Sequence, residues 1–189
     1  MIRLMLDTDK PLGLTVTTGM LATYADLADA PLVAHLSRTH GHVVWIERGL
    51  GDPLGLATIL DVEGGAVRPA QAPVWYDRRH AQGAKSLTVY CNRSTLAEVD
   101  TEMGPRNFYR WVARLDGISA VPGFTPGKSP AAVQIMGAAA LGFHADASLV
   151  FQDAWQPTPR AHLSPDDSAA INTAEAHIQA ALAALAGVQ

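Results

Sequence analysis

The chain has little that would staple, export or strongly charge it. A single cysteine, Cys91, leaves no partner for an intrachain disulfide and excludes a cysteine-rich zinc module. No uncharged apolar run reaches the 18 residues or so that a membrane-spanning helix needs, and the opening MIRLMLDTDK lacks a basic stretch followed by a long apolar one. Neither a membrane nor the secretory route is therefore expected. Positive charge is also scarce: 14 Lys and Arg against 18 Asp and Glu give a net charge of −4, which supplies no field to hold a phosphate backbone, so nucleic acid is not expected as a partner. What is present is 48% hydrophobic residues with 16 Gly and 12 Pro in 189 residues, the profile of a globular, loop-punctuated, Ala-rich chain with one substantial core.

Periodicity and punctuation divide the chain into short apolar runs. Residues 2–6 read as a buried strand that delivers Asp7 at its end. Residues 19–29 show helical spacing at Met20, Leu21, Tyr24 and Leu27, and 31–36 and 42–46 read as strands. Residues 56–60 lead into Asp61-Val62-Glu63 and a Gly64-Gly65 turn. The stretch 69–83 begins with Pro and ends with Gly, as helices do. Residues 86–91 form a strand, and Ser94 is placed to cap a helix running to about Met103. Further strands are expected at 107–115, 131–136 and 147–151, with a Gly- and Pro-rich loop at 122–130. Eight short strands joined by helices or loops indicate an α/β fold. An ordinary (β/α)₈ barrel takes about 250 residues, so the expectation is an abbreviated TIM-like (β/α) barrel over residues 1–155.

Residues 156–189 differ in kind. A proline-bearing connector precedes Ser164-Pro165-Asp166-Asp167, which supplies a cap, a first-turn proline and acids suited to a helix N-terminus. The predicted helix 165–186 carries Ile171, Ala174, Ile178, Ala181 and Leu185 in alternating steps of three and four. That stripe suits either packing on the barrel or association with a second copy of the chain.

Asp61 and Glu63 lie two residues apart on a strand, so both side chains leave one face, roughly 6.5–7 Å apart at the backbone. Two such acids can divide roles: one is kept protonated as a general acid, and the other is ionised to act as base or to stabilise a developing cation. The bland alternative is that Asp61 caps the glycine turn and Glu63 is solvated. Asp7 closes the first strand on the same end. Asp146 precedes the last strand and joins the other acids only if that strand begins earlier than 147. Tyr90, at the end of its strand, is a candidate to hydrogen-bond a substrate or an acid, and Trp45 and Trp111 are candidates to line a saccharide groove or else to fill the core.

The runs ILDVEGG, LTVYCNRSTL, RWVARLDG, VQI and HADASLVFQDAW, in this order, resemble the glycoside hydrolase family 25-like (lysozyme-like) barrels of actinobacteria and their bacteriophages. The resemblance spans about residues 1–155 and is most specific in LDVEGG and VYCNRS. It implies a muramidase-like action on peptidoglycan, with Glu63 as general acid, Asp61 as its partner, and Asp7 and Asp146 as acids of the first and last strands; Gln134 joins Tyr90, Trp111 and Trp45 as the candidates to touch substrate. It further implies bacterial cell-wall glycan as partner, and a place in the cytoplasm of an infected host or in a virion. The chain departs from the pattern at Val133-Gln134-Ile135, where the family has aromatics on both sides of the glutamine, and at Arg114, where it has an acid. Those departures leave a second reading, a catalytically silent barrel serving as a structural or wall-binding virion component, in contact with other virion proteins and multimerised by helix 165–186.

No cofactor or metal is expected. His40-Gly41-His42 and His144-Ala145-Asp146 lack a third ligand at suitable spacing. Cys91 reads as an inert buried thiol, and the G-K-S of the 122–130 loop lacks the spacing of a phosphate-binding loop.

Overall fold

The computed structural model describes residues 3–14, 20–49, 51–63, 67–113, 130–136, 145–152 and 155. Eight strands close into a mixed barrel in which each strand neighbours the next in sequence: β1 Arg3–Thr8, β2 Leu21–Tyr24, β3 Val43–Glu47, β4 Ile59–Val62, β5 Thr88–Asn92, β6 Tyr109–Ala113, β7 Ala132–Met136 and β8 Asp146–Val150. Strands β1 to β7 run parallel, and β8 is antiparallel to both of its neighbours, β7 and β1. Three α-helices accompany them among the described residues: α1 Ala30–Thr39, α2 Ala72–Ala81 and α3 Leu96–Met103. The described residues thus form an α/β barrel with few helices. The expected helix 165–186, Gly64-Gly65, Arg114 and nearly all of the 122–130 loop lie outside the described residues.

Two expected elements exchange identity. Of the helix expected over 19–29, the described residues from 20 on hold β2 and a 3₁₀ turn, Ala25–Leu27, and 31–36 belong to α1 rather than to a strand. The reason is physical in both cases. Leu21, Ala22 and Thr23 are all buried, so β2 is covered on both faces and shows no two-residue alternation. Asp29 is the N-cap of α1, its Oδ1 accepting from the Leu32 N–H at 2.7 Å, and Pro31 stands in the first turn. The helices expected at 69–83 and from 94 do form. The second has Thr95, not Ser94, at its N-cap, and Asn92 holds the turn before it: Asn92 Oδ1 accepts from the Thr95 N–H (3.0 Å), the Thr95 hydroxyl (2.7 Å) and the Ser94 hydroxyl (2.6 Å). Gly104, at φ +55°, ends α3 in a conformation that a side chain would strain.

Side chains sort by strand parity. Met5, Ala22, Val44, Ile46, Ile59, Trp111, Ala132 and Val150 fill the barrel with Met20, Ala131 and Trp155. Leu6, Leu21 and Trp45 pack outside, against Leu36 of α1. Leu60, Val62, Val89 and Cys91 pack outside with Trp75 of α2 and Val99 and Met103 of α3. Cys91 is therefore an outer-layer residue, and burial pushes its thiol up to about 12, which leaves it inert. At the end of the barrel reached by the last part of β8, Trp155 closes the interior. Its Nε1–H donates to Thr88 Oγ1 (2.8 Å), and its ring meets Trp111 edge-on at 6.5 Å. Trp111 in turn donates to Ser148 Oγ (3.0 Å), so this apolar floor has both indole N–H groups satisfied.

Candidate functional site

The opposite mouth of the barrel collects the acids. Asp7 stands near the C-terminal end of β1, Asp61 near that of β4, and Glu63 one residue past β4. Because β8 is antiparallel, its first residue, Asp146, lies at this same mouth, in register with Asp7. The strand begins one residue earlier than the sequence suggests, and its direction accounts for the position of Asp146. Asp61 pairs with Tyr90 of β5, and Tyr90 with Trp111 of β6, so Tyr90 rests on the tryptophan floor with ring centroids 4.7 Å apart.

Acids are held here on apolar packing and against one another, and both effects penalise the ionised form. Burial, then the charges of Asp146, Asp61 and Glu63, push the Asp7 carboxyl up to about 8. Burial and then Glu63 push Asp61 up to about 7, with the Glu63 backbone and Arg48 pulling the other way. Glu63 is raised by burial, drawn back by the Tyr90 hydroxyl and raised again by Asp146. Asp7 is 8% exposed, yet among the described residues its Oδ2 has no hydrogen-bond partner, and neither does Oδ1 of Asp61. Unpaired carboxyl oxygens in such a position carry a desolvation cost that a bound group could relieve.

Polar residues join the acids across the mouth. The Tyr90 hydroxyl donates to Gln134 Oε1, and Gln134 Nε2 donates to Asp146 Oδ2 at 2.7 Å. Beside them a cavity of about 200 Å³ is lined by Asp7, Thr8, Asp9, Tyr24, Arg48, Ala145 and Asp146. Arg48 stacks on Tyr24, 4.1 Å from the ring centre, and is locked by two bonds to Asp26 (3.1 and 2.8 Å).

Of the residues singled out from sequence, Asp7, Asp61, Glu63, Asp146, Tyr90 and Gln134 come together. Trp111 lies beneath Tyr90, fully buried. Trp45 does not join them: odd positions of β3 face outward, and its indole is in the outer cluster with Leu36 and Leu56. Sequence reasoning missed Tyr24 and Arg48. The two-residue step from Ala22 to Tyr24 points Tyr24 inward once 21–24 is seen as a strand, and Arg48 is the residue just after β3. Among the described residues no group of three or more His, Cys, Asp or Glu is arranged to hold a metal ion, and no helix is long and apolar enough to cross a membrane.

The fold and this constellation define an α/β barrel with an acidic mouth. Comparison of the chain with protein-family models, curated proteins and solved structures finds no match to any of them.

Proposed function

We propose that the chain is an abbreviated TIM-like barrel of phage origin that acts as a peptidoglycan-directed, muramidase-like glycoside hydrolase. Glu63 is its general acid and Asp61 its partner. The observation that carries this reading is the meeting of Asp7, Asp61, Glu63 and Asp146 at one mouth, with three of the four held above the ordinary carboxyl range. Glycoside cleavage needs a carboxylic acid that is still protonated near neutrality to give its proton to the leaving oxygen, beside a carboxyl group that ionises as positive charge develops on the sugar. A group kept neutral by burial and then by like charges does that: a developing cation beside it offsets both and lets the proton go. The cavity beside Tyr24 is smaller than the ~300–1,000 Å³ that encloses a drug-sized ligand, so it holds part of a glycan while the rest lies across the mouth.

The second reading, a silent barrel that binds walls or builds a virion, is favoured by one specific feature. Trp45 and Trp111 are both buried, so neither indole offers a face to a sugar, and among the described residues the aromatic surface near the mouth is that of Tyr24 and Tyr90.

Release of reducing ends from purified actinobacterial peptidoglycan separates the two. The hydrolase reading expects Glu63→Gln to lower turnover at least about 100-fold with little change in Tm. No turnover by the wild type, together with its retention on the same material in a pull-down, would support the silent barrel.

A further inference from the structure

Asp7 of β1 and Asp146 of β8 stand directly opposite each other across their antiparallel pair. Such a pair has its Cα atoms about 4.5–5.5 Å apart and sends both side chains to the same side of the sheet, where like charges are destabilising. Both carboxyls line the cavity of about 200 Å³ beside Tyr24, and the exposed Asp9 adds a third. The guanidinium of Arg48, in the same lining, is already committed: its Nε and Nη2 both bond Asp26, outside the lining, and it stacks on Tyr24. After burial, the charges that act on the Asp7 carboxyl are those of Asp146, Asp61 and Glu63, all of one sign. Asp7 itself is 8% exposed, and its Oδ2 has no hydrogen-bond partner among the described residues. An ionised carboxyl only accepts, so any N–H or O–H donor relieves that oxygen, but only a donor with positive charge also relieves the repulsion between Asp7 and its neighbours. A neutral sugar hydroxyl meets the first need alone. The described acids are not arranged to hold a metal ion. An alkylammonium, with three donors on one compact charge, meets both needs.

We propose that this cavity is a subsite for a primary ammonium group, with Asp7 as its acceptor and Asp146 and Asp9 as the charges beside it, and that the group is the free amine of a glucosamine unit without its acetyl cap. An N-acetyl group brings one N–H and no charge, so the acetylated sugar leaves the acids unrelieved. That the amine is carried by a glycan rests on the hydrolase reading; the ammonium subsite itself does not.

The test follows the Asp7 carboxyl carbon by NMR through a pH titration of the full chain, labelled at Asp, alone and with each of three probes at saturation: a glucosamine tetramer, the same tetramer N-acetylated, and Nα-acetyl-lysine methylamide. A cation bound beside a carboxylate lowers its midpoint. The glucosamine tetramer should bring Asp7 down from about 8 by at least about one pH unit, and the acetylated tetramer should leave it in place. Movement by the lysine derivative but not by the glucosamine tetramer would keep the ammonium subsite and overturn its assignment to a glycan. Movement by neither amine, or equal movement by the acetylated tetramer, overturns the whole proposal. Asp7→Asn keeps the shape and removes the charge, so calorimetry should show the glucosamine tetramer bound at least about 10-fold more weakly, the loss of one charged hydrogen bond. Unchanged affinity would place the amine elsewhere and overturn the subsite. Failure of the hydrolase reading would appear instead as absent turnover of peptidoglycan while Asp7 still answers to the amine, so the two failures are distinct.

Discussion

Two regions of the barrel handle buried charge in opposite ways. Along the outer side of β3 and the loop after it, acids are matched to cations and N–H donors. Glu47 accepts from Trp75 Nε1 (2.9 Å) and twice from Arg78 (2.9 and 3.0 Å). Asp52 accepts from the backbone N–H groups of Leu56 (2.8 Å) and Ala57 (2.7 Å) and pairs with Arg79 at 3.3 Å, both side chains 5% exposed. Arg79 also reaches the Gly55 carbonyl (2.6 Å) and Gln82 (3.0 Å). These bonds pin α2 and the loop to the sheet. At the mouth, by contrast, acids face acids, and two carboxyl oxygens are buried without partners. Charge that holds the fold together is neutralised by its neighbours. Charge left in excess at the mouth of a stable barrel costs stability, and natural proteins retain such a cost mainly where it serves a ligand or a reaction.

The largest effect expected from breaking this contrast is on the paired side. Asp52→Ala leaves Arg79 buried without its counter-ion and frees two backbone N–H groups, and truncating one partner of a buried pair costs about 3–5 kcal/mol. At 2–4 °C per kcal/mol for a chain of this size, Tm should fall by roughly 10 °C, while any activity per folded molecule is kept. Thermal denaturation followed by circular dichroism measures it, and an unchanged Tm would show that the pair contributes nothing net.

The mouth should answer in the opposite direction. Asp7 is held at about 8 in the folded chain against about 3.9 when unfolded, so across that interval the native state binds the extra proton. The stability this confers is fully present below pH 4 and is lost as pH rises through 8. Asp7→Asn does not titrate, so its Tm relative to the wild type should be smallest near pH 4 and climb toward pH 8. With screening and coupling among the acids allowed for, the gain at neutral pH is on the order of 2 kcal/mol, or about 5 °C. A pair of Tm–pH curves that run parallel would show that Asp7 is not under strain.

The same contrast explains how far the residues alone disclose this molecule. Asp61-Val62-Glu63 is legible because two-residue spacing on a strand is a local fact, and Asp7 because it ends an apolar run. Strand direction is not local. Nothing between Ala145 and Val150 announces that β8 runs backward, yet that direction is what carries Asp146 to the mouth. Trp45 and Trp111 look alike as residues on strands, and only the parity fixed by register sends one outward to α1 and the other to the floor. Arg79 and Asp52 are 27 positions apart, and each taken singly reads as a solvated charge. The misread stretch 19–36 hid Tyr24 for a related reason: a strand buried on both faces shows no alternation, and an accidental helical spacing filled the gap.

The smallest effect sharpens the comparison at its boundary, because the mouth is not wholly without a cation. Arg48 lies at its rim, tied to Asp26 and stacked on Tyr24, and its charge acts to lower Asp61. Arg48→Met removes a partly exposed ion pair and a cation–π contact, each worth about 1 kcal/mol or less, so Tm should drop by only a few degrees. Its diagnostic effect is electrostatic. With the cation gone, Asp61 should titrate still higher than about 7, because burial and Glu63 then act unopposed by that charge. A carboxyl-carbon NMR titration of protein labelled at Asp and Glu measures this. A stationary Asp61 would mean that Arg48 serves only to hold Tyr24 and Asp26, and that the acids at the mouth feel no compensating charge at its rim.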